Sequence, residues 1–192
     1  MTMAAFLSLG MVFWLLPSAY AQDNWDVEGS NGILHVYGAL TESACRLEMT
    51  SFRQDVALGE TGTGQLKTVG SQGTPVKFEL RLTDCLHSSS RNRDLRTGGQ
   101  TWASDQVAVS ISFLATRDED NPALIKAAGV SGLGLRLTTD EGKDVRIGSR
   151  GAPLLLNPGQ DTLTYIVTPE RTSANLVAGS YMAMVNFHLS YD

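Results

Sequence analysis

The sequence predicts an all-β fold of the sandwich or barrel type. About nine segments show strand-like alternation, and turn residues separate them at short spacing. Almost no stretch shows the longer period of a helix. Successive strand side chains point to opposite faces, so alternation of apolar and polar residues indicates strands with one buried face. Many short strands joined by turns are typical of sandwiches and barrels. A chain of 192 residues has room for one ordinary domain.

Composition and motifs exclude several functions. The net charge of −5 leaves no basic footprint for nucleic acid. The chain has no P-loop, no GxSxG and no HExxH motif. Its carboxylate clusters, Asp118–Asp120 and Asp140–Glu141, lie in predicted turns, and its 3 histidines are scattered. We therefore expect no enzyme, no cofactor and no metal site.

The first residues are typical of a secretory signal. Met1–Ala21 contains no charged side chain, Phe6–Leu16 is apolar, and Ala19-Tyr20-Ala21 forms a small-x-small cleavage site. The alternative is a membrane anchor, but about eleven apolar residues are too few to span a bilayer. We expect cleavage before Gln22.

The chain has 2 cysteines, Cys45 and Cys85. In an exported protein an even count predicts a disulfide, here closing a loop of about 40 residues and stabilising the fold by roughly 4 kcal/mol. A metal pair is the alternative. Without a CxxC motif, and with scattered histidines, the residues make a poor zinc site.

The strands can be followed along the chain. Gln22–Gly29 is polar, and Gly32–Leu40 after it is strand-like, with glycines that let another backbone come close. Ala123–Ala128 could form one helical turn. Further strands are expected at Cys45–Met49, Gln54–Gly59, Pro75–Leu82, Gln106–Leu114, Gly132–Thr138, Val145–Ile147, Pro153–Leu156 and Thr162–Thr168, the last stopped by Pro169.

The segment Leu86–Ser104 is rich in Ser, Arg and Gly and is predicted to be a loop. Its basic centre, Ser88–Arg93, could bind an anion, although such loops are more often simply solvated.

The end of the chain, Gly179–Asp192, predicts a long strand with a buried face. Apolar residues occupy every second position: Tyr181, Ala183, Val185, Phe187, Leu189 and Tyr191. Nothing follows to pair with the far edge of this strand. An apolar unpaired edge favours aggregation, so either the chain or another protein supplies a neighbour. We favour another protein.

The mature chain resembles the pilin subunits of bacterial fimbriae assembled by the chaperone–usher pathway. The matching features are the signal, the glycine-bearing strand before Cys45, Val56–Gly59, and Phe78–Cys85. The strongest is the end, with Gly179 fourteen residues from the C-terminus, alternation, and the penultimate Tyr191. The similarity covers residues 30 to 192.

The resemblance implies an immunoglobulin-like sandwich that is incomplete because its last strand is missing. A periplasmic pilus chaperone lends a strand, an outer-membrane usher receives the complex, and the N-terminal extension of the next pilin subunit then replaces the chaperone strand. It implies a signal peptide at 1–21, a donor-strand extension at 22–40 and a pilin domain at 41–192. The product is a cell-surface fimbria, exported through the periplasm, that contributes to adhesion.

The resemblance also assigns residues by position. For the side chains assigned to the acceptor side, the alternative role is plain core packing. The donor face is Gly32, Leu34, Val36, Gly38 and Leu40, and the acceptor groove or chaperone edge is Gly179, Tyr181, Val185, Phe187, Leu189 and Tyr191.

The chain is too short for a two-domain tip adhesin. Rod, tip or adaptor, and terminating base positions remain, and the long Leu86–Ser104 segment with the leader around Trp25 favours a minor or anchoring subunit. The alternative from another class is a self-complete secreted immunoglobulin-like module that binds a ligand through its loops.

Overall fold

The computed structural model describes residues 34–37 and 44–191. The chain divides into two units, Met1–Thr41 and Glu42–Asp192. In the first unit, Leu34–Tyr37 has no regular secondary structure. All the elements described next belong to the second.

The regular secondary structure of the second unit is almost all strand. Its helices are one turn, α1, at Met49–Phe52 and a 3-10 turn at Thr63–Gln65. No helix among the described residues is long and apolar enough to cross a bilayer. The strands are β1 Arg46–Leu47, β2 Val76–Cys85, β3 Ser90–Arg93, β4 Gln100–Ala103, β5 Ala108–Ala115, β6 Ile125–Lys126, β7 Leu133–Thr139, β8 Leu154–Leu155, β9 Gly159–Arg171 and β10 Val185–Tyr191.

These strands form three antiparallel sheets. The largest has the order β1-β2-β9-β7-β6, the second has the order β10-β5-β8, and β3 pairs with β4 as a separate hairpin. Strands far apart in sequence are neighbours, as β2 and β9 show from Val76↔Val167 to Cys85↔Gly159.

The core lies between the two larger sheets. Phe113 of β5 meets Tyr165 of β9 edge-on, with ring centroids 4.8 Å apart. Leu80 and Leu82 of β2 are each 1% exposed. Burial raises the pKa of the Tyr165 phenol to about 12, with a smaller contribution from Asp140. The sandwich architecture predicted from the alternation is confirmed.

The disulfide between Cys45 and Cys85 is also confirmed. It lies next to the pairing of β1 with β2, where Arg46 is opposite Thr83. The bond therefore fixes the start of the first strand to the end of β2.

Pro169 does not end its strand, contrary to the expectation. β9 continues to Arg171, and Pro169 is paired with Leu135 of β7. The N–H and C=O of one strand residue point to the same side, and the Pro169 carbonyl accepts a bond of 2.8 Å from the Gly73 N–H. The proline position that lacks an N–H therefore faces the β2 side, beyond the first residue of β2. No hydrogen bond between β9 and β7 is lost.

Three other local predictions were wrong. Ala123–Ala128 contains strand β6 rather than a helical turn. Leu86–Ser104 contains the β3–β4 hairpin. The region Val145–Ile147 is not a strand, although Val145 donates a backbone bond to Leu137 and Asp144 bridges Thr138, so the turn before it is hairpin-like.

Candidate strand-docking site

Strand β10 has a hydrogen-bonded neighbour on one side. All seven of its residues pair with β5, from Val185↔Ala115 to Tyr191↔Val109. Within 34–37 and 44–191, no strand, bridge or backbone bond joins the opposite edge. An open edge offers a row of N–H and C=O groups to which another strand can add.

The apolar face of β10 packs on the core but is not covered. Phe187 lies against Phe113, with ring centroids 6.4 Å apart. Phe187, Leu189 and Tyr191 all contact the core cluster yet remain half-exposed, and Val185 is 36% exposed. The alternating pattern correctly predicted which side chains share a face, whereas full burial of that face is not observed.

Two tyrosine hydroxyls near this face are buried without a partner. Neither the Tyr181 nor the Tyr191 hydroxyl has a hydrogen-bond partner among the described residues. Burial raises the pKa of the Tyr191 phenol. A buried hydroxyl without a partner destabilises a fold by about 1–3 kcal/mol.

The residues before β10 belong to a different pairing. Met182 exchanges two backbone bonds with Ala128, so the terminal strand is shorter than the predicted Gly179–Asp192. Gly129 makes this approach possible, because its φ is +104° and a Cβ there would lie 2.4 Å from the Ser180 carbonyl oxygen. Gly179 and Tyr181 therefore lie beside the turn around Gly129, outside the strand itself.

A second stretch of backbone is also unpaired. Gln54–Gly59 was predicted to be a strand, but it has no regular secondary structure. Its residues make no backbone–backbone hydrogen bond to any other described residue. Leu58 nevertheless packs on the same core cluster as Phe187 and Leu189. The sequence signal was the apolar alternation before Gly59, which we had interpreted as an ordinary strand and not as part of the site.

The described part of the predicted donor face is exposed. Leu34 and Val36 are 87% and 82% exposed, and the rings of His35 and Tyr37 stack on the opposite parity with centroids 6.1 Å apart. Gly32, Gly38 and Leu40 lie outside the described residues. The donor assignment stays a prediction.

The described residues show no metal site. Within 34–37 and 44–191, no group of three or more His, Cys, Asp or Glu side chains could hold a metal ion.

Comparison with known proteins decides the family. A family model described as fimbrial protein matches residues 34–192. The chain belongs to this family. It is 24% identical to long polar fimbria protein A of Salmonella typhimurium over 97% of the chain and 99% of that protein. It is 26% identical to the PRS fimbrial minor pilin protein of Escherichia coli over 92% of the chain and 84% of that protein.

Solved structures show the same fold. The P pilus rod subunit PapA matches 78% of this chain and all of its own length, with a TM-score of 0.63 and 21% identity. The immunoglobulin-like class predicted from the resemblance is confirmed. As a member of the fimbrial family, the chain is a structural pilin, not an enzyme. It is exported through the periplasm to cell-surface fimbriae, where it assembles with neighbouring subunits.

Proposed function

We propose that the open edge of β10 receives a strand from another protein, first from a periplasmic chaperone and then from the next pilin subunit. The observation that carries this proposal is that β10 pairs with β5 alone among the described strands, while its apolar face packs on the core and stays half-exposed. An added strand would pair with the free backbone and cover Phe187, Leu189 and Tyr191. The outer-membrane usher is the site of the exchange.

The backbone of β10 supports the same assignment. An incoming strand carries donors and acceptors at every second position on each side, and the edge of β10 away from β5 offers the matching groups. The chain can supply the donor as well, because Leu34 and Val36 share one parity and are exposed. In this proposal the segment 22–40 enters the groove of the preceding subunit.

The acceptor edge is tested by truncation. Removing residues 189–192 deletes Leu189 and Tyr191 and with them part of the docking edge and of the half-buried face. We expect the truncated subunit to lose co-purification with its chaperone, as measured by affinity capture from periplasmic extracts. Replacing Ser190 with Thr keeps the length and the apolar face and serves as the control. Stoichiometric capture of the truncated chain would contradict docking at β10.

The donor face is tested by the pair Leu34→Asp and Val36→Asp. Burying each side chain in a neighbour's groove would stabilise the complex by about 1.5–3 kcal/mol. An unpaired charge buried there would destabilise it by several kcal/mol. We expect this subunit to remain folded and chaperone-bound but to fail in strand exchange with the preceding subunit. The readouts are the Tm of the subunit–chaperone complex and the rate of chaperone release.

The opposite face gives a matched control. His35→Asp and Tyr37→Asp introduce the same two charges on the other parity, and strand exchange should proceed. Equal loss in both double variants would show that charge alone blocks exchange. Unfolding of the Leu34/Val36 variant with the chaperone present would favour a self-complete immunoglobulin-like module instead.

For the place in the fibre, we propose a minor or anchoring position. The support is the β3–β4 hairpin, which forms a sheet of its own beside the two larger sheets and fits an infrequent subunit better than a closely stacked rod. Immunogold labelling of this subunit should mark an end of the fimbria, and continuous labelling along the shaft would contradict the proposal.

A further inference from the structure

The β3–β4 hairpin is a well-ordered element with one free face. Four residue pairs hold it together, from Ser90↔Ala103 to Arg93↔Gln100. Its tip is closed by a 2.8 Å bond from the Asp94 N–H to the Gly99 carbonyl. The Asp94 carboxylate accepts bonds from the Arg96 N–H and the Thr97 hydroxyl, which lower its pKa. The backbone of this hairpin therefore has a defined conformation, which fixes the positions from which its side chains project.

The two faces of the hairpin differ sharply. Ser90, Asn92 and Ala103 are buried, and the Ser90 hydroxyl donates a 2.7 Å bond to the Gln106 carbonyl. The opposite parity presents four exposed side chains, Arg91, Arg93, Gln100 and Trp102. Arg91 lies directly opposite Trp102, and Arg93 directly opposite Gln100.

The groups on the outer face are not used by the described part of the domain. Trp102 is 64% exposed and has no ring contact or hydrogen bond there. Arg91 has no ion pair with a described carboxylate, and Arg93 makes one bond of 3.3 Å from Nε to the Gly98 carbonyl. Arg91 is thus the direct cross-strand neighbour of Trp102, and Arg93, two residues nearer the tip, is its diagonal neighbour at about 7–8 Å.

This combination suits one ligand chemistry. A guanidinium group binds a planar carboxylate or a sulfate through two parallel N–H bonds. An indole face packs against the flat C–H face of a sugar ring, and a glutamine amide bonds to hydroxyls in either direction. We propose that the outer face of the β3–β4 hairpin binds an acidic carbohydrate, with a carboxylated or sulfated sugar held between Arg91, Arg93 and Trp102.

Other anionic partners fit the surface less well. A nucleic acid binds through many neutralised phosphates, whereas this face offers two arginines. An acidic peptide without an aromatic residue would use the arginines but leave Trp102 uncovered. The subunit is also displayed on the cell surface, where it meets polysaccharides.

The position of the hairpin keeps this face clear of a strand added at β10. β3 contacts β5 and β4 contacts β8, and β8 lies at the opposite edge of its sheet from β10. A strand added at β10 therefore does not cover the hairpin. Only this accessibility argument rests on the proposed function, and the binding test below does not require polymerisation.

The test uses the full subunit in complex with its chaperone, with the chaperone alone as the reference. Binding is measured by surface plasmon resonance on immobilised hyaluronan, which carries carboxylates, on heparin, which also carries sulfates, and on neutral dextran. We expect binding to one or both acidic polymers and none to dextran. Trp102→Ala, and separately Arg91→Gln with Arg93→Gln, should each weaken binding about tenfold or more.

Two controls make the result specific. Arg53→Gln with Lys67→Gln removes the same two charges from exposed positions outside the hairpin, and it should leave binding unchanged. Trp102→Phe keeps an aromatic face and should retain more binding than Trp102→Ala.

Three outcomes would overturn the proposal. They are no binding to either acidic polymer, equal weakening by the Arg53/Lys67 control, and equally tight binding to double-stranded DNA. Normal chaperone capture of the hairpin variants separates all of these from a failure at β10.

Discussion

Strands β2 and β10 have the same kind of sequence but different surroundings. Both alternate apolar and polar residues, with Phe78, Leu80 and Leu82 in one and Phe187 and Leu189 in the other. Leu80 and Leu82 of β2 are fully buried, whereas the apolar residues of β10 stay half-exposed. β2 lies between β1 and β9, while β10 has β5 alone as a described neighbour.

The difference shows that alternation predicts which side chains share a face of a strand, but not whether other strands cover that face. A side chain is buried by the strands beside its own and by the sheet opposite it, and those come from distant parts of the chain. β2 obtains both within the domain. We infer that β10 obtains its second neighbour from another protein.

The largest effect is expected from the disulfide that fixes the end of β2. Cys85→Ser frees Cys45 and opens a loop that stabilises the fold by about 4 kcal/mol. The expected result is a markedly lower steady-state level of subunit in the periplasm, measured by immunoblot with the chaperone co-expressed. The double variant Cys45→Ser with Cys85→Ser should show the same loss. Because it has no free thiol, it separates loss of the bond from harm caused by an unpaired cysteine. Normal levels and normal incorporation would show that the β1–β2 pairing holds without the bond.

Matched leucine truncations test the comparison directly. Leu80→Ala leaves a cavity in a closed core and should lower the free energy of unfolding by about 3 kcal/mol. Leu189→Ala removes the same atoms from a half-exposed position and should lower it by less. The Tm of each subunit released from its chaperone measures the order, because about 1 kcal/mol shifts Tm by roughly 2–4 °C in a domain of this size.

The order of these two effects is informative. If the chaperone strand covers Leu189 fully in the complex, the two substitutions should become similar in cost, and the subunit freed of chaperone should show the larger difference. A Leu189→Ala complex that releases its chaperone no faster than wild type would argue that this residue lies outside the docking site.

The smallest effect is expected at the end of β9, where side chains of the same domain pair with Glu170. Beyond the start of β2, β9 is flanked by Gln72, whose amide donates a 2.9 Å bond to the buried Glu170 carboxylate. Arg136 of β7 binds the same carboxylate through two nitrogens and also pairs with Asp144. The Arg136 bonds lower the pKa of Glu170 despite its burial, and those carboxylates raise the pKa of Arg136.

The sign of the pH dependence follows from that shift. A carboxyl whose pKa is lower in the folded state stabilises the fold above its unfolded pKa of about 4.3 and loses this contribution as pH falls through the folded value. Glu170→Gln should lower the free energy of unfolding at pH 7 by about 1–3 kcal/mol. The difference in Tm between wild type and variant should shrink below about pH 4. A difference that is constant down to pH 3 would show that the ion pair does not stabilise the edge.

Much of the fold could be predicted because its signals are local. The faces of β2, β5 and β7 follow from alternation, and the disulfide follows from two cysteines in an exported chain. The β3–β4 hairpin could not be predicted, since Ser90, Asn92 and Thr101 are polar residues on its inner face and alternation of hydrophobicity is absent there. The Gln54–Gly59 segment has the alternation of a strand but lacks a described partner for its backbone.

The candidate site divides in the same way. The sequence identified Tyr181, Val185, Phe187, Leu189 and Tyr191 as a common set, and the register with β5 shows where the last four lie on one strand. Tyr181 lies before the start of β10 because its segment packs against the turn around Gly129. The burial of the two tyrosine hydroxyls likewise depends on tertiary contacts. No local pattern contains that information.

The sequence by itself therefore determined where the longer strands lie, which of their side chains share a face, and which family the chain resembles. Each of these depends on spacing along the backbone or on local composition. Only the tertiary structure decided which strands are neighbours, why Pro169 can lie inside β9, and which edge of β10 is open. Those properties depend on hydrogen-bond ladders between segments tens of residues apart, as in the pairing of Val76 with Val167, and the period of a single strand is the same whether or not a neighbour is present.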